Sequence, residues 1–378
     1  MRIAYFSSVL NHHQIELCDC LYKLHGVDFV FVSTMDIEQQ RIDLGYKLYD
    51  RPYNLMMHTS SNLKEQAEEL FQNADVVIVG VFLEEWLQKR LKANKITFLY
   101  KERLFKEKPS QYWKIRCQLF VMREYWPHRK KAFYMLAASA FASVDYASLG
   151  VFKGKSFAWG YFPPMIQYTE EQIVKNKKNS VIYIFWAGRM LEWKHPEYVL
   201  DVAEKLVKEK QSFHIDMAGN GPLLDMIHEE IEKRKLSEYV SALGSMQPEN
   251  VRRYMEKANI YLFTSNREEG FGAVLTEAMN SGCAVVASET AGATNLLVKD
   301  GINGLIYKHD SSDELQRKII SLIADKDAMN RLGIEAYRTI LKEQNSSIAA
   351  KRFSAVAEAM VNGKEWPVYT SGPMRLME

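Results

Sequence analysis

Short apolar runs alternate with helical patterns along the chain, and this alternation indicates an α/β fold. In the first half, the runs IAYF, DFVFVS, DVVIVGVF and ITFLY predict strands, and HQIELCDCLYKL predicts one of the helices between them. Continuous apolar runs of this length are typical of parallel strands that helices cover on both faces. The pattern therefore predicts a doubly wound sheet.

The same alternation restarts after a polar interruption, which indicates a second domain. The interruption is YFPPMIQYTEEQIVKNKKNS, with two adjacent prolines and a polar run. It is followed by the strand patterns VIYIFWAG, FHIDMAG, YVSALG, NIYLFTS and CAVVAS. We predict two Rossmann-like doubly wound domains, residues 1–165 and 181–355, joined by a linker at 166–180. They would face each other across a cleft, which is the expected ligand site.

Composition and charge narrow the class of protein. The chain is 47% hydrophobic and 25% charged with a formal net charge of +2, which is typical of a globular protein and not of a dedicated nucleic-acid binder. Four scattered cysteines suit a reducing compartment. The first residues lack a signal-peptide pattern and no apolar run approaches the ~20 residues of a spanning helix, so we expect a cytoplasmic protein.

Glycines follow several predicted strands of the second half, and two cations accompany the first of them. Gly188, Arg189 and Lys194 come after VIYIFWA, and Gly244 with Ser245 comes after YVSAL. A third glycine turn, GNGP, follows FHIDMA. Because parallel strands present their carboxyl ends at one edge, these turns are expected to meet there. Paired cations at such an edge favour a phosphate-bearing ligand, although either cation alone is more often a solvated loop charge.

The stretch NREEGFGAVLTEAMNSG contains two glutamates, Glu269 and Glu277, around a glycine turn that leads into a helix. The free N–H groups at a helix start favour an anion. A phosphate there would have a carboxylate on either side, and each carboxylate can accept two hydrogen bonds from neighbouring hydroxyls. A phosphate group with a hydroxyl-bearing group on either side is the arrangement found in a sugar nucleotide. The alternative is that both glutamates are exposed surface residues.

The second half resembles the glycosyltransferase family 4 domain of the GT-B fold. AGRMLEWKHPEYVLDVAEKL, DMAGNGPLLDMI, LGSM, NREEGFGAVLTEAMNSGCAVVAS and NGLIY occur in the family's order. The resemblance implies sugar transfer, with retention at the anomeric carbon, from a nucleoside diphosphate sugar such as a UDP- or GDP-sugar. It assigns the diphosphate to Arg189 and Lys194, the ribose to Glu277 and the donor sugar to Glu269.

The resemblance also implies that the backbone of one loop approaches the ligand closely. This loop comprises Gly270, Phe271, Gly272 and Ala273. With Arg189, Lys194 and a helix start to neutralise the departing diphosphate, neither a metal nor another cofactor is expected. The histidines and cysteines near the N-terminus are not expected to form a metal site, since Cys18 and Cys20 lie two apart on a predicted helix and point in different directions.

The first half matches the family less closely. Where many members have a glycine-rich loop, this chain has SSVLNHHQIEL, which places Asn11, His12 and His13 at the edge where the cleft is expected. Each is a candidate for binding the diphosphate or the acceptor. The alternative is a structural role in helix capping or packing. Similar openings occur in bacterial surface-polysaccharide transferases. Glu102 and Arg103 follow the strand ITFLY and are candidates by position.

A basic stretch with interleaved aromatic residues covers residues 101–131. It has two interpretations: a surface that binds anionic lipid on the inner face of the plasma membrane, or solvated helices whose aromatic residues pack inward. No nucleic-acid recognition motif accompanies the charge. By analogy with the fold, residues 356–378 are expected to cross back to the first domain.

The expected function is transfer of a sugar to a glycan or lipid-linked glycan, in bacterial surface polysaccharide synthesis. Two alternatives stay open at this point. A sugar-nucleotide epimerase of the same fold would convert the donor without an acceptor, and a non-catalytic sugar-nucleotide-binding protein would bind the donor without turnover.

Overall fold

The computed structural model describes residues 1–37, 49–106 and 111–377, with residues 111 and 112 described as helix backbone only. The chain forms two compact units. The first comprises Met1–Pro164 and Gln344–Glu378, and the second comprises Met165–Glu343.

The first unit is built on an eight-stranded sheet whose order is β14-β7-β6-β5-β4-β1-β2-β3. The strands are β1 Arg2–Ser7, β2 Asp28–Ser33, β3 Asn54–Met56, β4 Val76–Val79, β5 Thr97–Lys101, β6 Phe133–Ala137, β7 Ser156–Ala158 and β14 Leu376–Met377. The α-helices are Ile15–Tyr22, Ser61–Asn73, Glu84–Lys92, Gln111–Glu124, Ala142–Ser148 and Ser346–Val361, with 3-10 turns at Met57–Thr59 and Trp126–His128. All paired strands are parallel except β14, which runs antiparallel to β7.

The helix Ser346–Val361 belongs to the first unit and covers its core. Asn345 begins it by accepting a hydrogen bond from the Ile348 amide (3.1 Å). Ser346 donates to Glu16 of the helix Ile15–Tyr22 (3.2 Å), and Phe353 lies in the first hydrophobic core. The chain therefore re-enters the first unit at Gln344, before the boundary at 356 that the sequence predicted.

The second unit is built on a six-stranded sheet whose order is β10-β9-β8-β11-β12-β13. Its strands are β8 Ile182–Ala187, β9 Phe213–Ala218, β10 Val240–Gly244, β11 Ile260–Phe263, β12 Ala284–Ser288 and β13 Leu305–Tyr307. Its α-helices are Glu170–Asn176, Glu197–Lys208, Leu224–Lys233, Pro248–Lys257, Ala273–Asn280, Thr294–Leu297, Ser312–Ala324 and Lys326–Lys342, with a 3-10 turn at Glu192–Lys194. All the pairs between these strands are parallel.

The predicted linker at 166–180 is part of the second unit. Thr169 and Gln172 form a capping box that begins the helix Glu170–Asn176. The backbone of Tyr168 exchanges hydrogen bonds with the Tyr337 hydroxyl, which accepts from the Tyr168 amide (2.8 Å) and donates to its carbonyl (2.7 Å). The prolines and polar residues of this segment therefore lie where the second unit begins and do not indicate a free linker.

Each sheet reverses its strand order at one point. In the first sheet the reversal lies between β1 and β4, and in the second it lies between β8 and β11. In open α/β sheets, ligands bind outside the carboxyl ends of the strands at such a switch point. Each unit therefore has one expected ligand position, at the switch point of its sheet.

Candidate functional site

The switch point of the second sheet brings two of the predicted site segments together. Strands β8 and β11 pair in parallel, with Ile260 opposite Ile184. Gly188, Arg189 and Lys194 follow β8, while the loop that contains Glu269 follows β11.

Lys194 and Glu269 form an ion pair at this switch point. The two side chains are only 12% and 10% exposed. The Ser265 hydroxyl donates a second hydrogen bond to the same carboxylate (3.0 Å), and the Lys194 ammonium lies 4.3 Å from the centre of the Trp193 ring. The cation assigned to the diphosphate and the carboxylate assigned to the donor sugar are thus direct neighbours.

A chain of hydrogen bonds fixes the backbone that carries Lys194. The indole N–H of Trp186 donates to the Thr264 hydroxyl (2.9 Å), which donates to the Lys194 carbonyl (2.5 Å). The Asn266 amide donates to the Trp193 carbonyl (2.9 Å). Trp186 and Thr264 were not predicted as site residues, because the sequence gives no sign that β8 and β11 are neighbours.

The glycine turns after β8, β9 and β10 lie side by side. The Gly188 amide donates to the Ala218 carbonyl (3.0 Å), and the Gly219 amide donates to the Gly244 carbonyl (2.7 Å). Gly219 has φ +144°, and a Cβ there would lie 1.8 Å from the Gly188 carbonyl oxygen. Only glycine permits this approach of the two loops.

Two predicted polar residues of these turns face solvent. Arg189 and Ser245 are both exposed. In the described part of the chain no ion pair is formed by Arg189, so its guanidinium is available to an anion.

The glycine loop before the helix Ala273–Asn280 is shaped by Gly272. Gly272 has φ +92°, and a Cβ there would lie 2.3 Å from Cζ of Phe263. Phe271 is 1% exposed, and its carbonyl accepts a hydrogen bond from the Ala293 amide (2.8 Å). Its buried ring packs in the core, so Phe271 can reach a ligand only through its backbone, as Gly270 and Ala273 can.

Glu277 lies inside the same helix and has a cationic neighbour that the sequence did not reveal. Arg252, on the helix Pro248–Lys257, lies 3.9 Å from its carboxylate. Arg252 also donates to the Glu277 carbonyl (3.0 Å) and to Oδ1 of Asn280 (2.9 Å). Burial raises the pKa of Glu277 above its ordinary value, and Arg252 opposes that shift. The two residues are far apart in sequence, so no local signal could have found the pair.

Two aspartates have the spacing Asp-x-Asp, which can hold a metal ion, but they lie outside this site. Asp325 and Asp327 have that spacing at the start of the helix Lys326–Lys342. Asp325 begins the helix by accepting a hydrogen bond from the Ala328 amide (2.9 Å). Both residues are exposed. Within the three described ranges, no group of three or more histidine, cysteine, aspartate or glutamate residues is arranged to hold a metal ion.

The N-terminal candidates occupy the turn between β1 and the helix Ile15–Tyr22. The Asn11 side chain accepts a hydrogen bond from the His13 amide (3.0 Å), which shapes the turn. The rings of His12 and His13 lie 3.8 Å apart. Burial lowers the pKa of His13 to about 3 and also lowers that of His12. His13 is therefore neutral at physiological pH and contributes no charge to an anion.

Glu102 and Arg103 follow β5, but their surroundings differ. The Tyr161 hydroxyl donates to Glu102 (3.0 Å), which also forms an ion pair with Lys106. Arg103 lies 3.6 Å from Asp145, with side chains 7% and 11% exposed, and its guanidinium stacks over Phe141. Glu102, Arg103 and Asn11 nevertheless line one cavity of about 540 Å³ in the first unit.

Residues 168–339, which make up most of the second unit, match the family described as glycosyl transferases group 1. The second unit is therefore a domain of that family, and the family resemblance seen in the sequence is confirmed. The matched segment is less than half of the chain and contains all the site residues of the second unit.

Relatives at the sequence level agree with this assignment. An uncharacterised glycosyltransferase of Methanocaldococcus jannaschii is 27% identical over 194 residues, covering 51% of this chain and 49% of the relative. The poly(glycerol-phosphate) alpha-glucosyltransferase of Bacillus subtilis is 28% identical over 165 residues, covering 44% of this chain and 24% of the relative. The chain thus spans about half, or less, of the length of these relatives.

Two solved structures cover nearly the whole chain. Anabaena HepE in complex with UDP has a TM-score of 0.70 at 15% identity, covering 95% of this chain and all of HepE. The sucrose-phosphate synthase of Thermosynechococcus elongatus has a TM-score of 0.67 at 15% identity, covering 96% of this chain and all of the synthase. With the two parallel sheets, these likenesses confirm the predicted GT-B fold.

Proposed function

Since the second unit is a group 1 glycosyltransferase domain, we propose that the chain transfers a sugar from a nucleoside diphosphate sugar to a glycan or lipid-linked glycan. The observation that carries the proposal is the Lys194–Glu269 pair at the switch point of the second sheet. In this proposal Lys194 binds the diphosphate, and the neighbouring Glu269 carboxylate accepts hydrogen bonds from the sugar hydroxyls. Near it, the helix Ala273–Asn280 carries Glu277, proposed for the ribose.

The proposed reaction retains the configuration of the anomeric carbon and uses protein cations in place of a metal. The bond from the anomeric carbon to the diphosphate breaks, and the acceptor hydroxyl oxygen forms the new bond to that carbon. The hydroxyl proton passes to the departing diphosphate. Arg189, Lys194 and the helix start at Ala273 stabilise the negative charge that develops on the leaving group.

UDP is the nucleotide we propose first, because HepE was solved with UDP and with UDP-glucose. The acceptor class is inferred in part from relatives whose names refer to polyol-phosphate polymers, among them the poly(glycerol-phosphate) enzyme of Bacillus subtilis and a poly(ribitol-phosphate) enzyme of Staphylococcus aureus. These names support a polymeric acceptor, and we propose that it belongs to surface polysaccharide synthesis.

A thermal-shift screen with UDP-, GDP-, ADP- and dTDP-sugars tests the donor proposal. Binding linkage predicts stabilisation of ~2.7 kcal/mol when the free ligand is at 100 times its dissociation constant. We expect a clear upward shift with one nucleotide class, and a smaller shift for Glu277→Ala at equal ligand concentration. The absence of a shift with all four classes would contradict the proposal. Stoichiometric conversion of the bound donor without an acceptor would instead identify an epimerase.

We also propose that the first unit binds the membrane surface through the helix Gln111–Glu124 and the turn after it. Apolar side chains point into solvent along this helix: Trp113, Ile115, Leu119 and Met122 are 45–64% exposed. The alternative interpretation, in which the aromatic residues of this stretch pack inward, does not hold for Trp113. Exposed basic residues lie among them, including Lys114 and Lys130. Apolar side chains between cations fit an anionic bilayer. No helix in residues 1–37, 49–106 or 111–377 is long and apolar enough to span one.

Flotation with phosphatidylglycerol-containing vesicles tests this surface. Each cation near an anionic membrane contributes about 1 kcal/mol, so Lys130→Gln is expected to lower the partition coefficient about fivefold at low salt. Leu119→Ser, at an exposed apolar position, should lower it further. Lys178→Gln removes an exposed cation from the second unit and should have no effect. Equal partitioning of wild type and Lys130→Gln would refute this docking surface.

A further inference from the structure

The switch point of the first sheet carries a cavity of about 540 Å³. Ser7 at the end of β1, Gly80 after β4 and Lys101 at the end of β5 contribute to its wall. These three strands are neighbours in the order β5-β4-β1. The cavity thus lies where an open α/β sheet binds its ligand, and its lining divides into three chemical groups.

One part of the lining is polar and incompletely satisfied. Gln14 is 4% exposed. Its amide nitrogen donates to the Tyr5 hydroxyl (2.9 Å) and to the Ser7 hydroxyl (3.1 Å). Its buried Oε1 has no hydrogen-bond partner among the residues that the structure describes. An unpaired buried acceptor is unfavourable, and a ligand hydroxyl that donates a hydrogen bond to it would satisfy it.

A second part is cationic. Glu102 pairs with Lys106, and Arg103 lies beside Asp145. Lys101 forms no ion pair within 4 Å in the described ranges, although the more distant Glu84 acts on it. Burial lowers the pKa of Lys101. The partly buried Lys101 ammonium therefore has the Glu84 carboxylate only at a distance, and a phosphate group in the cavity would supply a closer anion.

The third part is aromatic and opens to solvent. Phe82 is 70% exposed, and its ring lies 5.9 Å from that of Phe120. Phe120 belongs to the helix Gln111–Glu124, whose apolar side chains Leu119 and Met122 are exposed nearby in sequence. An apolar chain that leaves the cavity past Phe82 would meet this surface and not open water.

We propose that this cavity binds an acceptor in which a glycan is joined through phosphate to an apolar chain. The glycan hydroxyls would meet Gln14, the phosphate would meet Lys101, and the chain would leave past Phe82 and Phe120. This inference rests on the proposed sugar transfer and decides between its two acceptor classes, in favour of the lipid-linked glycan. A soluble glycan would leave Lys101 and Phe82 without a function.

The test is titration calorimetry on the full chain with four probes, each below its critical micelle concentration. The complete probe is N-acetylglucosamine joined through diphosphate to a phenoxyundecyl chain. The others replace the chain with methyl, remove the diphosphate, or remove the sugar. We expect the complete probe to bind at least tenfold more tightly than each of the others. Equal affinity for the methyl probe would show a site for soluble glycans, and equal affinity for the sugar-free probe would show a simple lipid-phosphate site; either result overturns the proposal.

Two variants place the binding in this cavity. Phe82→Ser removes an exposed ring and should weaken the complete probe at least fivefold while leaving the methyl probe unchanged. Lys101→Gln should remove the preference for the probes that carry phosphate. Ile302→Ser is the matched control, since Ile302 is 59% exposed in the second unit. Unchanged affinity in Phe82→Ser would overturn the proposal. UDP affinity, measured on the same samples, reports separately on the donor site, so a failure of either proposal can be recognised.

Discussion

Lys194→Met is expected to lower the free energy of unfolding by about 3 kcal/mol and the rate of sugar transfer at least tenfold. The stability loss arises because Glu269, whose side chain is 10% exposed, would keep only the Ser265 hydroxyl (3.0 Å) as a side-chain hydrogen-bond partner among the residues that the structure describes. The rate loss is expected because, in the proposed reaction, Lys194 donates one charge-assisted hydrogen bond to the departing diphosphate. Thermal unfolding and the release of nucleoside diphosphate from the donor measure the two effects.

The double variant Lys194→Met, Glu269→Gln separates stability from catalysis. It removes the unpaired charge, so its unfolding free energy should return most of the way to that of wild type. Its transfer rate should stay low, because both groups proposed for the donor are gone. A double variant that transfers sugar at the wild-type rate would show that the pair is only structural.

Gly219→Ala is expected to destabilise the second unit by about 3 kcal/mol or more, since a close clash combines with an unfavourable backbone conformation. The added Cβ would lie 1.8 Å from the carbonyl oxygen of Gly188 and 2.8 Å from its carbonyl carbon. Backbone atoms cannot move aside as a side chain can. Separation of the two loops would also break the hydrogen bond from the Gly219 amide to the Gly244 carbonyl (2.7 Å). Donor binding should therefore fall together with the melting temperature.

Gly301→Ala is the matched control for this glycine. Gly301 also has a positive φ (+74°), but a Cβ there would meet nothing within 4 Å. Only the backbone conformation is penalised, at about 1–2 kcal/mol. Equal melting temperatures for the two variants would mean that close packing of the loops after β8 and β9 contributes nothing.

Much of the fold could be predicted from the sequence, because buried parallel strands appear in it as continuous apolar runs. Strands β2 and β4 lie within two of the runs singled out in the first half, β1 and β5 overlap the other two to within one residue at each end, and β8 to β12 lie within those of the second. The strands that were not predicted are short or lie toward the sheet edges. β3 and β7 have three residues each, and β14 has two. Such short strands form through hydrogen bonds to neighbouring strands, and their own sequences are too short to show a pattern.

Strand β6 shows a different limit. Phe133–Ala137 has a strand composition, but only Ala132 separates it from the basic residues Lys130 and Lys131. Because of these charges, the sequence pattern indicates a charged surface and not a strand. Pairing with β5 along five positions decides its conformation, and that pairing is not visible in local sequence.

The candidate residues of the second unit could be named from the sequence, because most of them lie on short loops that directly follow predicted strands. The sequence could not show what holds those residues in place. Arg252 beside Glu277 and Thr264 beneath Lys194 come from other elements and meet them only in the folded chain. Nor could it show that Arg103 pairs with Asp145, which leaves this predicted residue largely buried.

The affinity of the protein for a nucleoside diphosphate, compared with that for its nucleoside, tests the central claim most directly. Titration of UDP and uridine into wild type should show UDP binding at least tenfold more tightly, and the double variant Lys194→Met, Glu269→Gln should lose most of that preference. If UDP produces no shift in the thermal screen, the diphosphate and nucleoside of the base that does are used instead. A double variant that keeps the full preference for the diphosphate would contradict a diphosphate site at the switch point of the second sheet.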